Sequence, residues 1–193
     1  MINIGARFDD RITGRLDAFS PGSTKAHIDV DQSSINKVIR VDIPIVGDVA
    51  HVLEDLLKVW KARGRKTNSE SLKGWWSEID AWRKIRCLDY KPDIKTIKPQ
   101  YALERLEALT KDHDRYITTE VGQHQMWAAQ YLGFNDPNRW MTSGGLGTMG
   151  YGFPASIGVQ VAHPESLVIN VAGEASWLMH MQEMGTAMQY GLP

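Results

Sequence analysis

Chemistry-bearing residues are concentrated in a few short segments, each just past a strand-like apolar run. Gly173-Glu174-Ala175-Ser176 follows the apolar run Leu167–Val171 and opens a helical pattern. A helix start offers free N–H groups and partial positive charge, which suits phosphate. A carboxylate there, Glu174, can hold Mg²⁺ beside the phosphates, because that ion takes one or two carboxylates together with phosphate oxygens and waters. The same letters also read as a helix-start charge in Glu174 and a helix cap in Ser176. Gly122-Gln123-His124-Gln125 sits just past strand-like residues 116–119, at the end of a strand where open α/β sheets bind ligands. A lone histidine in that place is more often structural than catalytic.

Five of the 17 glycines crowd into residues 144–152. Among them, Gly145-Leu146-Gly147-Thr148-Met149-Gly150 matches the dinucleotide pattern G-x-G-x-x-G. That pattern needs an acid ending a strand ~20 residues later, and Glu165 instead lies in the turn His163-Pro164-Glu165-Ser166. The segment therefore reads either as a loop needing positive φ and close packing or as a loop whose backbone approaches a cofactor. Near the start, Gly5-Ala6-Arg7-Phe8-Asp9-Asp10-Arg11 places two arginines after a strand, and guanidinium groups suit phosphate. Asp29 ends the next strand and can accept from a ribose or adenine, and Gly47-Asp48 repeats the arrangement. Together these strand ends look like a nucleotide cleft, although surface Arg–Asp pairs give the same letters.

The elements that must position these segments follow from periodicity. Residues 2–4, 26–30, 39–46, 116–119, 140–142 and 167–171 read as strands. Val49, Val52, Leu53, Leu56, Leu57 and Trp60 recur at helical spacing, as do Trp75, Trp76, Ile79, Trp82 and Ile85. Residues 61–73 between them are polar and aperiodic and read as a surface connection. Residues 91–100, with Pro92 and Pro99, read as a linker, and Pro99 suits the first turn of a helix carrying Leu103, Leu106 and Leu109. Further helices are predicted over about 123–132, from Pro154, and over 176–190. In the last of these, Trp177, Met181, Met184 and Met188 form an apolar stripe expected in a core, and the tryptophans at 75, 76 and 82 are likewise expected to pack. Strands alternating with helices predict an α/β fold, with parallel sheets flanked by helices and parts of two doubly wound domains. The expected division is residues 1–62, a helical and charged connection at 63–98, and residues 99–193.

Composition excludes several classes. With 22 basic and 23 acidic residues and no basic stripe, nucleic acid is disfavoured as a partner. Hydrophobic residues at 42% and charged residues at 23% fit a globular chain. The apolar runs are only a few residues long, far short of the ~20 of a membrane helix, and the N-terminus lacks a signal-peptide pattern. Cys87, the single cysteine, makes no internal disulfide, and a cytoplasmic location is expected. The chain opens inside a strand pattern and ends on a helix with no following strand, so a fragment of a longer protein is expected.

Residues 118–130, Thr-Thr-Glu-Val-Gly-Gln-His-Gln-Met-Trp-Ala-Ala-Gln, and residues 142–154, Thr-Ser-Gly-Gly-Leu-Gly-Thr-Met-Gly-Tyr-Gly-Phe-Pro, resemble the acetolactate synthase (acetohydroxyacid synthase) catalytic large-subunit family. Residues 5–14, Gly-Ala-Arg-Phe-Asp-Asp-Arg-Ile-Thr-Gly, resemble that family's flavin-contacting segment. The resemblance implies the end of a central FAD-binding domain followed by the start of a domain that binds the diphosphate of thiamine diphosphate through Mg²⁺. It implies decarboxylation of pyruvate and condensation with a second 2-oxoacid, pyruvate or 2-oxobutyrate, in branched-chain amino-acid (valine and isoleucine) biosynthesis. The implied assembly is a homo-oligomer with the active site between subunits, with a possible regulatory small subunit. The fragment alone is expected to be inactive. Matched residue by residue, Gly5, Ala6, Arg7, Asp9, Arg11, Asp29, Gly47 and Asp48 are implied to contact FAD. Gly122, Gln123, His124, Gly147, Met149, Ala175 and Ser176 are implied to bind thiamine diphosphate, Gln123 and Met149 to act in catalysis, and Glu174 to hold the metal. The family carries Asp where this chain has Glu174, one methylene longer. Other thiamine diphosphate enzymes, such as glyoxylate carboligase or pyruvate oxidase, and a non-catalytic relative binding FAD or a nucleotide remain as alternatives.

Overall fold

The computed structural model describes residues 1–66 and 68–193; Thr67, in the predicted 61–73 connection, lies outside the described residues. The fold is α/β with parallel sheets and flanking helices. Two compact units are present, Met1–Ile79 and Asp80–Pro193.

In the first unit, strands β1 (Ile2–Ile4), β2 (Ala26–Asp29) and β3 (Ile43–Val46) form a parallel sheet in that order. Ile4 lies opposite Ile28 and Asp29 opposite Val46, so the ends of all three strands meet at one edge. A short helix α1 (Asp10–Thr13) follows β1, and α2 (Val49–Ala62) follows β3. Asp48 starts α2 by accepting the N–H groups of Ala50 and His51 at 2.9 and 3.2 Å, which satisfies two of the helix's free donors. Phe8, Ile39 and Val41 form a buried cluster with Phe19 and Ile35 against it.

Residues 39–42 do not join the third strand, contrary to their β-branched letters. Asn36 takes the Val41 N–H at 2.8 Å, and the Asp42 carboxylate takes the Lys25 N–H at 2.7 Å. These side chains satisfy the local backbone away from the ladder, and Ile39 and Val41 serve the core from a loop.

Helix α3 (Ser69–Arg83) begins four residues before the predicted connection ends. Its Trp75, Trp76 and Trp82 are about half exposed and do not form a buried core.

In the second unit, β4 (Arg115–Thr119) is the central strand between β5 (Trp140–Thr142) and β6 (Leu167–Val171), both parallel to it. Helices α4 (Pro99–Thr110), α5 (Gln123–Tyr131) and α6 (Gly152–Ala162) carry the connections. Pro99 occupies the first turn of α4. Leu103, Ile117, Ala128 and Leu132 form the buried core, flanked by Trp127, Phe134, Trp140 and Ile169. Helix α6 starts two residues before Pro154, which then sits in its first turn, where its missing N–H costs nothing.

The predicted single helix over 176–190 is broken into α7 (Glu174–Leu178), a 3₁₀ turn (Met181–Glu183) and α8 (Met184–Gln189). The tightened turn shows in the His180 N–H to Trp177 and Glu183 N–H to His180 bonds. The methionine stripe is not core. Met181 and Met184 are about half exposed, and Met188 is more so. Among the described residues no helix is long and apolar enough to cross a membrane.

Candidate functional site

The parallel register carries three of the predicted segments to one edge of the second sheet. Thr119 lies opposite Thr142 on β5 and Val171 on β6, so residues 120–124, 143–150 and 172–176 all leave the carboxyl ends of adjacent strands. That edge is where parallel sheets build ligand sites. Small polar side chains line it. The Thr119 and Thr142 hydroxyls meet at 2.6 Å, and Gln125 Nε2 donates to Thr142 Oγ1 at 2.7 Å.

His124 organises two of these segments. A Cβ on Gly122 would come within 2.8 Å of the His124 ring, and one on Gly173 within 3.0 Å. Neither position tolerates a side chain while the imidazole lies between them. The ring's Nε2 is buried without a hydrogen-bond partner. Burial pushes the His124 pKa below its ordinary 6.5, against opposing pulls from the Glu120 main chain and the Glu120 and Glu174 charges. A base whose pKa is depressed by folding takes up its proton more readily when unfolded, so stability rises with pH between the folded pKa and 6.5. Urea unfolding of the chain should therefore show stability falling as pH drops below about 6.5, and His124→Gln should flatten that slope. An unchanged slope in the variant would assign the pH dependence elsewhere.

The remaining predicted residues divide by what they touch. Gln123 is exposed at the first position of α5. Gly147 has φ +66° on the exposed loop, and Met149 is also exposed. Glu174 and Ala175 are exposed in the first turn of α7. Ser176 is buried and donates to the Val121 carbonyl at 3.1 Å. It therefore ties α7 to the end of β4 and does not cap the helix, whose cap position is Gly173. Among the described residues no three His, Cys, Asp or Glu side chains gather as a metal cluster. The arrangement thus offers a glycine-lined edge with hydroxyls, the His124 imidazole between Gly122 and Gly173, the His180 imidazole against Gly150 and the exposed Glu174 carboxylate.

In the first unit, Gly5, Asp29, Gly47 and Asp48 share the edge formed by the ends of β1, β2 and β3. The Gly5 N–H donates to Ile28 O and the Gly47 N–H to Asp29 O, both at 2.9 Å. Ala6 is exposed beside Gly5, and Arg11 is exposed on α1. The acids also have local work. Asp9 accepts the Arg11 N–H at 3.0 Å and pairs with Arg7 at 2.6 Å. Asp29 accepts the Asp31 N–H at 2.8 Å. Both Asp9 oxygens are thus engaged, whereas the second oxygen of Asp29 stands 3.6 Å from His27 Nε2. A cavity of about 330 Å³ brings Arg7 and Asp9 together with Ser34 and Lys37. The backbone and arginine contacts of Asp9 hold its carboxyl below the usual carboxylate range.

Sequence reasoning missed two residues at these edges. His27, on β2, is fully buried with neither ring nitrogen hydrogen-bonded; its Nε2 lies 3.6 Å from the Asp29 carboxylate and its ring packs edge-on to Phe8. Glu120, at the end of β4, is fully buried. The i, i+2 spacing of His27 and Asp29 on a strand puts both on one face, a signal readable in advance. Nothing in the letters marks Glu120 as buried.

Residues 1–56 match the family model described as the thiamine pyrophosphate enzyme central domain, and residues 120–193 match the model for the C-terminal TPP binding domain. The chain is 47% identical over 190 residues to the acetolactate synthase isozyme 3 large subunit of Escherichia coli (strain K12), covering 98% of this chain and 33% of that protein. It is 48% identical over 189 residues to the acetolactate synthase large subunit of Buchnera aphidicola subsp. Schizaphis graminum, covering 98% of this chain and 32% of the relative. Against the Haemophilus influenzae large subunit, identity is 45% over all 193 residues, or 33% of that relative. The chain thus spans about a third of the length of these relatives.

Proposed function

Because this chain belongs to the thiamine pyrophosphate enzymes and is a homologue of the acetolactate synthase large subunits, we propose that it carries the diphosphate-binding part of a 2-oxoacid carboligase. In this reading it acts within a branched-chain amino-acid enzyme of the cytoplasm that joins pyruvate to pyruvate or 2-oxobutyrate. The observation that carries the reading is the convergence of residues 120–124, 143–150 and 172–176 at one strand edge, together with the His124 imidazole held between Gly122 and Gly173 with Nε2 unpartnered. A glycine-lined edge admits a phosphate close to the backbone, and the buried nitrogen supplies an unused polar atom.

The residues present fit thiamine diphosphate. When bound, that group supplies the electron sink that stabilises the carbanion left by decarboxylation of a 2-oxoacid. Gly122, Gln123, His124, Ala175 and Ser176 would hold its diphosphate end. Gly147 and Met149 would support its middle from the loop, Met149 through apolar contact, and Gln123 would orient the reacting groups. For Mg²⁺ the fit is partial: among the described residues no group of three ligating side chains gathers here, the exposed carboxylate at this edge is Glu174, and the ion would complete its shell with phosphate oxygens and water.

In the first unit, Gly5, Ala6, Arg7, Asp9, Arg11, Asp29, Gly47 and Asp48 would hold FAD. The open edge of the three strands and the cavity beside Arg7 support this reading. The domain division at 1–62, 63–98 and 99–193, the homo-oligomer and a regulatory small subunit belong to the same proposal.

Titration of the chain with thiamine diphosphate, followed by tryptophan fluorescence with Mg²⁺ or Mn²⁺, tests it. Wild type should bind in a metal-dependent way, and Glu174→Asp should tighten Mg²⁺-dependent binding about tenfold, ~1.4 kcal/mol. The shorter side chain returns the carboxylate by roughly one bond length, which matters for an ion of strict geometry. Absence of metal-dependent binding in wild type and Glu174→Asp alike would favour the second reading, a non-catalytic nucleotide binder, for which the single exposed carboxylate at this edge is the supporting observation. Arg7→Ala should weaken FAD binding about tenfold, near the low end of the ~1.5–3 kcal/mol for a hydrogen bond to a charged group, because the Asp9 pair already holds part of its charge. FAD quenching on titration measures it, and equal affinities would remove Arg7 from the site.

A further inference from the structure

Residues 144–149 of the glycine loop are all exposed, yet Gly150 is buried. The His180 ring and Met179 pack against Gly150, and a carboxylate holds its main chain. Glu120, with no exposed surface, receives the Gly150 N–H at Oε2, 2.7 Å, and the Phe153 N–H at Oε1, 2.9 Å. The two oxygens thus bind two different main-chain donors, one ending the loop and one in the first turn of α6. Helix α6 has no side-chain cap of its own, so Glu120 does that work from another strand and places its negative charge at the helix's positive end. Glu120 takes part in no ion pair among the described residues. Its own N–H donates to Val171 O at 3.0 Å, which fixes the clasp to the sheet. At the other end of the loop, the Thr148 N–H donates to Ser143 Oγ at 2.8 Å.

We propose that Glu120 is a positioning residue: its carboxylate clamps the Gly150 end of the glycine loop and the start of α6 to the end of β4, and so sets where Met149, one residue before the clamp, is presented. A buried carboxylate suits this work because it accepts at both oxygens and donates at neither. A glutamine of the same shape has one acceptor oxygen and turns N–H groups toward the second donor. The consequence for Met149 rests on the thiamine diphosphate reading above, whereas the clamp does not.

Amide hydrogen exchange on the chain without cofactor tests the clamp, comparing wild type with Glu120→Gln and Glu120→Ala. In both variants Gly150 and Phe153 should exchange at least tenfold faster, while the ladder amides joining β4 to β6 keep their wild-type rates. Unchanged rates at Gly150 and Phe153, or an equal acceleration across the whole second unit, would overturn the assignment, the latter by showing a role in overall stability only. Should neither variant fold, wild type alone decides: Gly150 and Phe153 must exchange at least tenfold more slowly than Leu146 and Gly147, and equal rates refute the clamp. Titration of the same proteins with thiamine diphosphate and Mg²⁺ forms the second arm. Glu120→Gln should bind at least fivefold more weakly than wild type, and equal affinities would overturn the link to Met149. If wild type itself binds no thiamine diphosphate, the functional reading and that link fall together, and the exchange result still decides the clamp.

Discussion

Arg115→Leu should lower the stability of the chain by about 3 kcal/mol, the low end of the ~3–5 kcal/mol observed when one partner of a buried ion pair is removed. Arg115 is buried at the start of β4, and its guanidinium ties three elements together. Nη2 reaches Glu107 on α4 at 2.5 Å and the Gly133 carbonyl after α5 at 2.8 Å; Nη1 reaches Thr110 at 2.6 Å. The guanidinium also stands 5.6 Å from the centre of the Phe134 ring. Leucine removes the donors and leaves a carbonyl, a hydroxyl and a carboxylate without their cation. The low end applies because Glu107 keeps 25% of its side-chain surface in water and can be resolvated there. Arg115→Lys should recover only part of the loss, since an ammonium cannot copy the planar fork. Urea unfolding followed by tryptophan fluorescence measures all three proteins, and a loss under 1 kcal/mol in Arg115→Leu would show that the network contributes little.

Gly152→Ala should destabilise by about 2 kcal/mol, although alanine is the better helix former. A Cβ at Gly152 would lie 2.5 Å from Thr119 C and 2.6 Å from Thr119 O and Glu120 N. These are main-chain atoms of the central strand, so neither side can swing away. Overpacking of a tight contact costs ~1–3 kcal/mol and more where backbone must shift. Against this stands a gain of ~1 kcal/mol in helix propensity, and the steric cost wins. Gly158 supplies the control. It lies on the same helix, with nothing within 4 Å of where a Cβ would stand, so Gly158→Ala should stabilise by roughly 0.5–1 kcal/mol. Opposite signs in the two variants, read from unfolding midpoints, are the expected result. Stabilisation by both would mean that α6 can move off β4.

The same contrast separates what was legible in the letters from what was not. Strand-helix alternation and the apolar runs at Leu167–Val171 and Trp140–Thr142 predict parallel strands where they occur, because apolar periodicity is a local property that needs no knowledge of partners. The helix signal at Pro99 was equally local, marking the start of α4 through backbone chemistry. The segments after β4, β5 and β6 were singled out by the same local reasoning, and the register brings them to one edge, the edge where this class of fold carries ligand sites.

Where neighbours decide, the letters misled. Residues 39–42 look like strand, but Asn36 and Asp42 take their backbone partners. The stretch 176–190 has helical spacing, but the backbone tightens and breaks near His180. The methionines at 181, 184 and 188 and the tryptophans at 75, 76 and 82 carry core-type letters yet are half exposed or more in this chain, because full burial requires an opposing surface and not only an apolar side chain.

By itself, then, the sequence determined the α/β class and the parallel alternation, both of which follow from short-range pattern. Only the tertiary structure decided that Gly122 and Gly173 share one imidazole, that Ser176 binds the end of β4, and that Gly152 has no room for a methyl group. It alone showed a carboxylate from residue 120 capping a helix that begins at residue 152. Those contacts join residues about thirty to fifty positions apart, and their distances are set by the register of three parallel strands, which no local pattern encodes.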